Sequence, residues 1–83
     1  MGIILLMQNS GAIIALHHMP TGARAMITRF TGAHENVARA QAMGLREGKC
    51  VEVLRRSGRL LLIQVGATQL AISDDLARHV EVQ

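Results

Sequence analysis

In MGLREGKCVEVL, residues 43–54, Gly44 and Gly48 separate a helix-forming stretch from an alternating one. Upstream, HENVARAQAM (34–43) is rich in Ala, Glu, Gln and Arg and has no Pro or Gly, which predicts a helix. Gly44 stands where a left-handed residue closes a helix, and Leu45 is the apolar residue that follows such a stop. Arg46-Glu47-Gly48 turns the chain again. Lys49–Arg55 (KCVEVLR) then alternates, with Val51 and Val53 on one face and Cys50 and Glu52 on the other. The stretch is a corner between a helix and a strand.

Strands flank this corner. Ala23–Thr31 (ARAMITRFT) alternates and includes β-branched residues, and Gly32 ends it. Downstream, Ser57-Gly58 marks a tight hairpin, Leu60–Val65 an apolar strand, and Gly66-Ala67 a second turn. Thr68–Ser73 is a further strand with Leu70 and Ile72 inward. Asp74–Ala77 forms a single helical turn capped by Ser73 or Asp74. His79–Val82 closes as a short strand. Before Pro20-Thr21-Gly22, a clear turn, two apolar runs (3–7 and 12–16) surround Asn9-Ser10-Gly11 and read as a hairpin, or as one strand and a tail. The pattern predicts a mainly β chain: a small SH3-like, partly open β-barrel with one short α-helix between its first strands. Barrel closure limits exposed edges in so small a protein.

With 83 residues the chain makes one domain, near the small end of what folds without staples. Hydrophobic residues are 49% of it but Phe30 is the one aromatic, so the core is aliphatic. The single Cys excludes an intrachain disulfide and a thiolate cage. The run Ile3–Met7 lacks a basic flank and is too short for a signal peptide, and Gln8–Gly11 interrupts it before it could span a membrane. A cytoplasmic location is expected. The net charge of +3 permits nucleic acid or an acidic protein face as partner. Only Arg55–Arg59 (RRSGR) is clustered, and without stacking aromatics it makes no single-strand platform, so no nucleic acid is expected.

Little here looks like catalysis. His17 and His18, adjacent on a strand, would point to opposite faces. His34 has only Glu35 beside it, His79 is distant, and Cys50 has no second thiol. Asp74 and Asp75 suit the start of a helical turn. No metal site and no cofactor are expected, and no Ser-His-Asp arrangement, carboxylate pair or phosphate loop is visible. The chain reads as a binding module, not an enzyme.

One ordered set of residues carries a family resemblance. It runs Leu16-x-x-Met19-x-x-Gly22, Ala25-x-Ile27, then Arg39-Ala40-x-x-Met43-Gly44-Leu45-x-x-Gly48-x-x-Val51-x-Val53-Leu54. Val65-Gly66-x-x-x-Leu70-Ala71-Ile72 and Ala77-x-x-Val80-x-Val82 complete it. The set resembles the FeoA family, with Ala40 and Glu47 standing where the family usually has Leu and Pro. The resemblance implies an SH3-like domain over 16–83, preceded by an apolar extension over 1–15. It implies a cytoplasmic accessory protein of ferrous iron uptake that docks on or regulates the membrane transporter FeoB. Partner contact would fall on Arg39, Met43, Gly44 and Leu45, the corner presenting apolar surface. Two other readings share the fold: a domain related to iron-dependent repressors, although no helix-turn-helix is present, and a small basic nucleic-acid-binding barrel. The apolar residues within 3–16 also suggest self-association, by burial or by strand pairing.

Overall fold

The computed structural model describes residues 13–83. The first apolar run (3–7), the hairpin it would form and most of the segment expected to self-associate lie outside the described residues. The elements are β1 (Ile14–Ala15), a 3-10 turn (Leu16–His18), β2 (Arg24–Phe30), α1 (His34–Ala42), β3 (Cys50–Ser57), β4 (Leu60–Val65), β5 (Thr68–Ser73), α2 (Asp74–Ala77) and β6 (Val80–Val82). Both helical expectations and the five strands from Ala23 onward fall where the sequence places them.

The strands form one antiparallel sheet in the order β1-β6-β2-β3-β4-β5. Its edges, β1 and β5, do not pair with each other, so the barrel is partly open, as expected. β2 serves two neighbours in turn. Its first residues, Arg24–Met26, pair with Glu52–Cys50 of β3, and Ile27 to Phe30 pair with Val82 to Val80 of β6. At the handover Met26 exchanges backbone hydrogen bonds with Gln83 (3.0 and 2.9 Å). The Ile27 N–H donates to the Lys49 carbonyl at 2.8 Å, and the Gly48 N–H donates to the Ile27 carbonyl at 2.8 Å. Register shifts between Ile27 and Arg29 in β2 and between Val53 and Arg55 in β3 accompany the bend. Such irregularities increase local twist and help a sheet wrap around a core.

That core is aliphatic and follows the period of two. Val51 and Val53, Leu61 and Ile63, Ile72, Val80 and Val82 are buried with Leu16, Ile27 and Leu45. Leu70, expected inward, is half-buried against this cluster. Each such side chain contributes about 1.5–3 kcal/mol on burial. Among the described residues every member of the buried core is apolar.

Ser73 settles the choice of cap: its Oγ accepts from the Leu76 N–H at 3.1 Å. Gly32, after β2, has φ of +89°, and a Cβ there would lie 2.6 Å from His79 Nδ1. Beside it the Thr31 N–H donates to the His79 carbonyl at 2.8 Å, fixing the ring's backbone. Gly22 has the same φ of +89°, but a Cβ there meets nothing within 4 Å. Gly22→Ala should therefore cost only the left-handed penalty of about 1–2 kcal/mol. Gly32→Ala should cost clearly more, because the His79 ring must also move. Thermal melts of the two variants give the comparison; equal losses would show that the ring yields freely.

Candidate functional site

The corner begins with α1. Its first turn has no side-chain cap, and Glu35 supplies the negative charge that suits a helix N-terminus. At the other end Met43 is the C-cap residue. The Gly44 N–H donates to the Gln41 carbonyl at 3.0 Å, and the Leu45 N–H donates to the Ala40 carbonyl at 3.1 Å. This pair of bonds is a Schellman motif, and it depends on Gly44 at φ of +99°. The motif brings the residue after the glycine back beneath the last turn. Leu45 accordingly lies in the core with Ala40.

That placement corrects part of the expected partner surface. Leu45 is 0% exposed, so its side chain is a core group and presents nothing to a partner. Gly44 is exposed as bare backbone, and Met43 is half-buried against the core. Arg39, one helical turn before Met43 and on the same face, is exposed. Arg46 and Lys49 follow the corner and are also exposed, as is Glu47 between them. The loop that carries them is fixed to β2 by the bonds to Ile27, and the Lys49 N–H donates to the Arg46 carbonyl at 3.1 Å.

Arg39, Arg46 and Lys49 make no ion pair among the described residues, whereas the two arginines of β2 do. Arg24 pairs with Glu52 at 3.3 Å and Arg29 with Glu81 at 2.7 Å, both directly across the sheet. Arg78 reaches Asp74 at 3.7 Å. Sequence reading missed these pairs because they exist only once strand register is known. The corner thus offers one half-buried apolar side chain with unpaired cations around the turn.

The histidines also differ from expectation. Residues 16–18 form a 3-10 turn instead of continuing a strand, so the His17 and His18 rings do not diverge. Their centroids lie 3.9 Å apart with planes at 32°. Arg56 holds the turn by donating to the carbonyls of His17 and Met19. That role takes one arginine out of the RRSGR cluster, and no motif announced it. His17 Nδ1 is buried with no hydrogen-bond partner among the described residues. Burial, the adjacent His18 and the Arg78 and Arg56 charges lower the His17 pKa, with Asp74 opposing them. Among the described residues no three His, Cys, Asp or Glu side chains converge as a metal-binding group. Cys50 is exposed on the outer face, opposite Met26.

The model of the FeoA domain matches residues 14–83. The chain belongs to the FeoA family. A solved iron uptake regulatory protein (FeoA) is 29% identical, with a TM-score of 0.80 over 87% of this chain and 96% of that one. FeoA of Stenotrophomonas maltophilia, solved with zinc and described as a procaryotic SH3 domain protein, is 26% identical. It aligns with a TM-score of 0.73 over 82% of this chain and 87% of its own. A manganese-dependent transcriptional repressor matches at a TM-score of 0.79 but 12% identity, over 84% of this chain and 40% of that one. That last likeness is one of fold alone. No curated protein matches the sequence. The FeoA domain here is the SH3-like barrel that its turn and strand pattern predicts.

The lowered His17 pKa gives this FeoA domain a pH-dependent stability. The unfolded chain, with His17 at its ordinary value of 6.5, binds more protons than the folded chain once the pH falls below that value. Stability present above this pH is lost as the pH falls through the folded value. Denaturant midpoints measured from about pH 8 to about pH 5 should fall further for the natural chain than for His17→Gln. Parallel falls would show that His17 titrates alike in both states.

Proposed function

We propose that the protein is a non-enzymatic, cytoplasmic accessory of ferrous iron uptake that docks on the cytoplasmic part of a FeoB-type transporter. Family membership supports the process, and relatives described as an iron uptake regulatory protein and as a suggested ferrous iron transport activating factor point the same way. Among the described residues no helix is long and apolar enough to cross a membrane. A role in transport would therefore rest on contact with a membrane partner.

The observation that carries the docking reading is the locked corner. Arg39 and Met43 share one face of α1, and Arg46 and Lys49 follow on a loop bonded to β2. A rigid site loses little conformational entropy on binding, which improves affinity without adding contacts. Unpaired cations favour an acidic partner face and speed encounter with it. Met43 supplies an apolar anchor of the adaptable kind found at protein interfaces. Leu45 acts here from inside, by setting the angle of the corner, and Gly44 by permitting it.

Binding of the full chain to the purified cytoplasmic part of a FeoB-type transporter tests this reading. The double variant Arg39→Glu, Met43→Asp should bind at least about tenfold more weakly, a loss of roughly 1.4 kcal/mol. Its melting temperature should fall, because Met43 packs partly against the core and Arg39 lies in the last turn of α1, but the variant should stay folded at the temperature of the binding measurement. Undiminished binding by a folded double variant, or no binding by the natural chain, would contradict the proposal.

A further inference from the structure

The second edge of the sheet has the features of a binding site. β5 ends the strand order, with no strand beyond it among the described residues. Val65 and Thr68 are register partners across the Gly66-Ala67 turn. The residues flanking a two-residue turn exchange backbone hydrogen bonds, and the pattern then alternates. Thr68, Leu70 and Ile72 therefore direct their backbone groups to β4, while Gln69 and Ala71 direct theirs to the open edge. Asp74 keeps this phase, its N–H donating to the Arg59 carbonyl at 2.7 Å.

Exposed edges are commonly blunted by charge, proline, bulges or brevity. β1, the opposite edge, has only two residues. β5 has six, TQLAIS, with no charge, proline or glycine, and pairs with β4 without a register shift. Among the described residues it is an unbulged template with no strand paired to its outer side.

The two faces beside this edge differ. On the inner side Leu70 is only half-buried. On the outer side Arg55, Leu62 and Ala71 form one cross-strand row, and Ser57, Leu60 and Ser73 the next. Leu60 is 50% exposed. Arg55 and Arg59 have no ion-pair partner among the described residues; Asp74 is engaged by Arg78, and Asp75 lies beyond the strand end. An added strand would lie roughly 14 Å from β3, three strand spacings away, within the joint reach of a Glu and an Arg side chain. Ala71 is small enough to leave that path open.

We propose that β5 accepts an extended segment of another protein, with apolar residues alternating with acidic ones. Its backbone pairs with Gln69 and Ala71. Its apolar side chains cover Leu70 on the inner side, and its acidic side chains cross Ala71 and Leu62 toward Arg55 and Arg59. This surface shares no residue with the α1 corner, so the two proposals stand or fall separately.

The test is a nuclear magnetic resonance titration of the full, isotope-labelled chain with two capped synthetic heptapeptides, one alternating Val with Glu and one alternating Val with Lys. The Glu peptide should shift the Gln69 and Ala71 amides and slow their exchange with solvent; the Lys peptide should bind at least about tenfold more weakly. Ala71→Pro should remove binding while keeping the bonds to β4, because the lost N–H faces outward. Should that variant fail to fold, Arg55→Glu with Arg59→Glu should weaken the Glu peptide by at least about tenfold. Equal binding of both peptides, no binding of either at millimolar concentration, or shifts confined to other elements would overturn the proposal. So would pairing of two copies through Gln69 and Ala71 without peptide, read as concentration-dependent sedimentation.

Discussion

At Ile27 the two halves of the sheet and the helical corner are tied together. Its side chain is buried in the common core, its N–H is held by the Lys49 carbonyl, and its carbonyl is held by the Gly48 N–H. On its other flank β2 passes to β6, with Ile27 opposite Val82. The loop after α1 is thereby fixed to the strand on which the sheet bends. Gly44 makes this geometry available, since only a left-handed residue there lets Leu45 fold back under Ala40. Without Leu45 in the core, the loop would not meet Ile27 at the same place, and β3 would start elsewhere.

Much of this was legible in the sequence because its signals are local. Gly44, Ser57-Gly58 and Gly66-Ala67 mark element ends through turn chemistry, and Val51, Val53, Leu61 and Ile63 mark the inner face through alternation. Ser73 was one of two candidate caps, which only the bond to Leu76 distinguished. The corner pattern puts Leu45 on the surface, whereas the structure buries it, although the signal for burial is present in the sequence. An apolar residue directly after a C-terminal glycine often packs back on its own helix. The apolar run before them makes His17 and His18 look extended, whereas the turn at Leu16 is held by a distant group, Arg56. Contacts between residues 39 positions apart leave no local trace. The same holds for the Arg24–Glu52 and Arg29–Glu81 pairs.

The proposed docking site was legible in outline only. Arg39 and Met43 remain on the surface; Gly44 and Leu45 serve the shape of the corner. Arg46 and Lys49 were visible as charges, but their attachment to β2 through the 46–49 turn is a tertiary fact. The distinction matters for function, since flexible cations attract a partner while fixed ones also orient it.

The rigidity of this corner is the claim on which the account rests, and native-state hydrogen exchange measures it directly. The amides of Leu45, Gly48 and Ile27 should exchange only through the opening that also exposes Val53 in β3, with matching free energies and denaturant dependence. Exchange of Leu45 and Gly48 through a small local opening, with Ile27 and Val53 still protected, would contradict it: the corner would then be a frayed loop beside a barrel that does not need it.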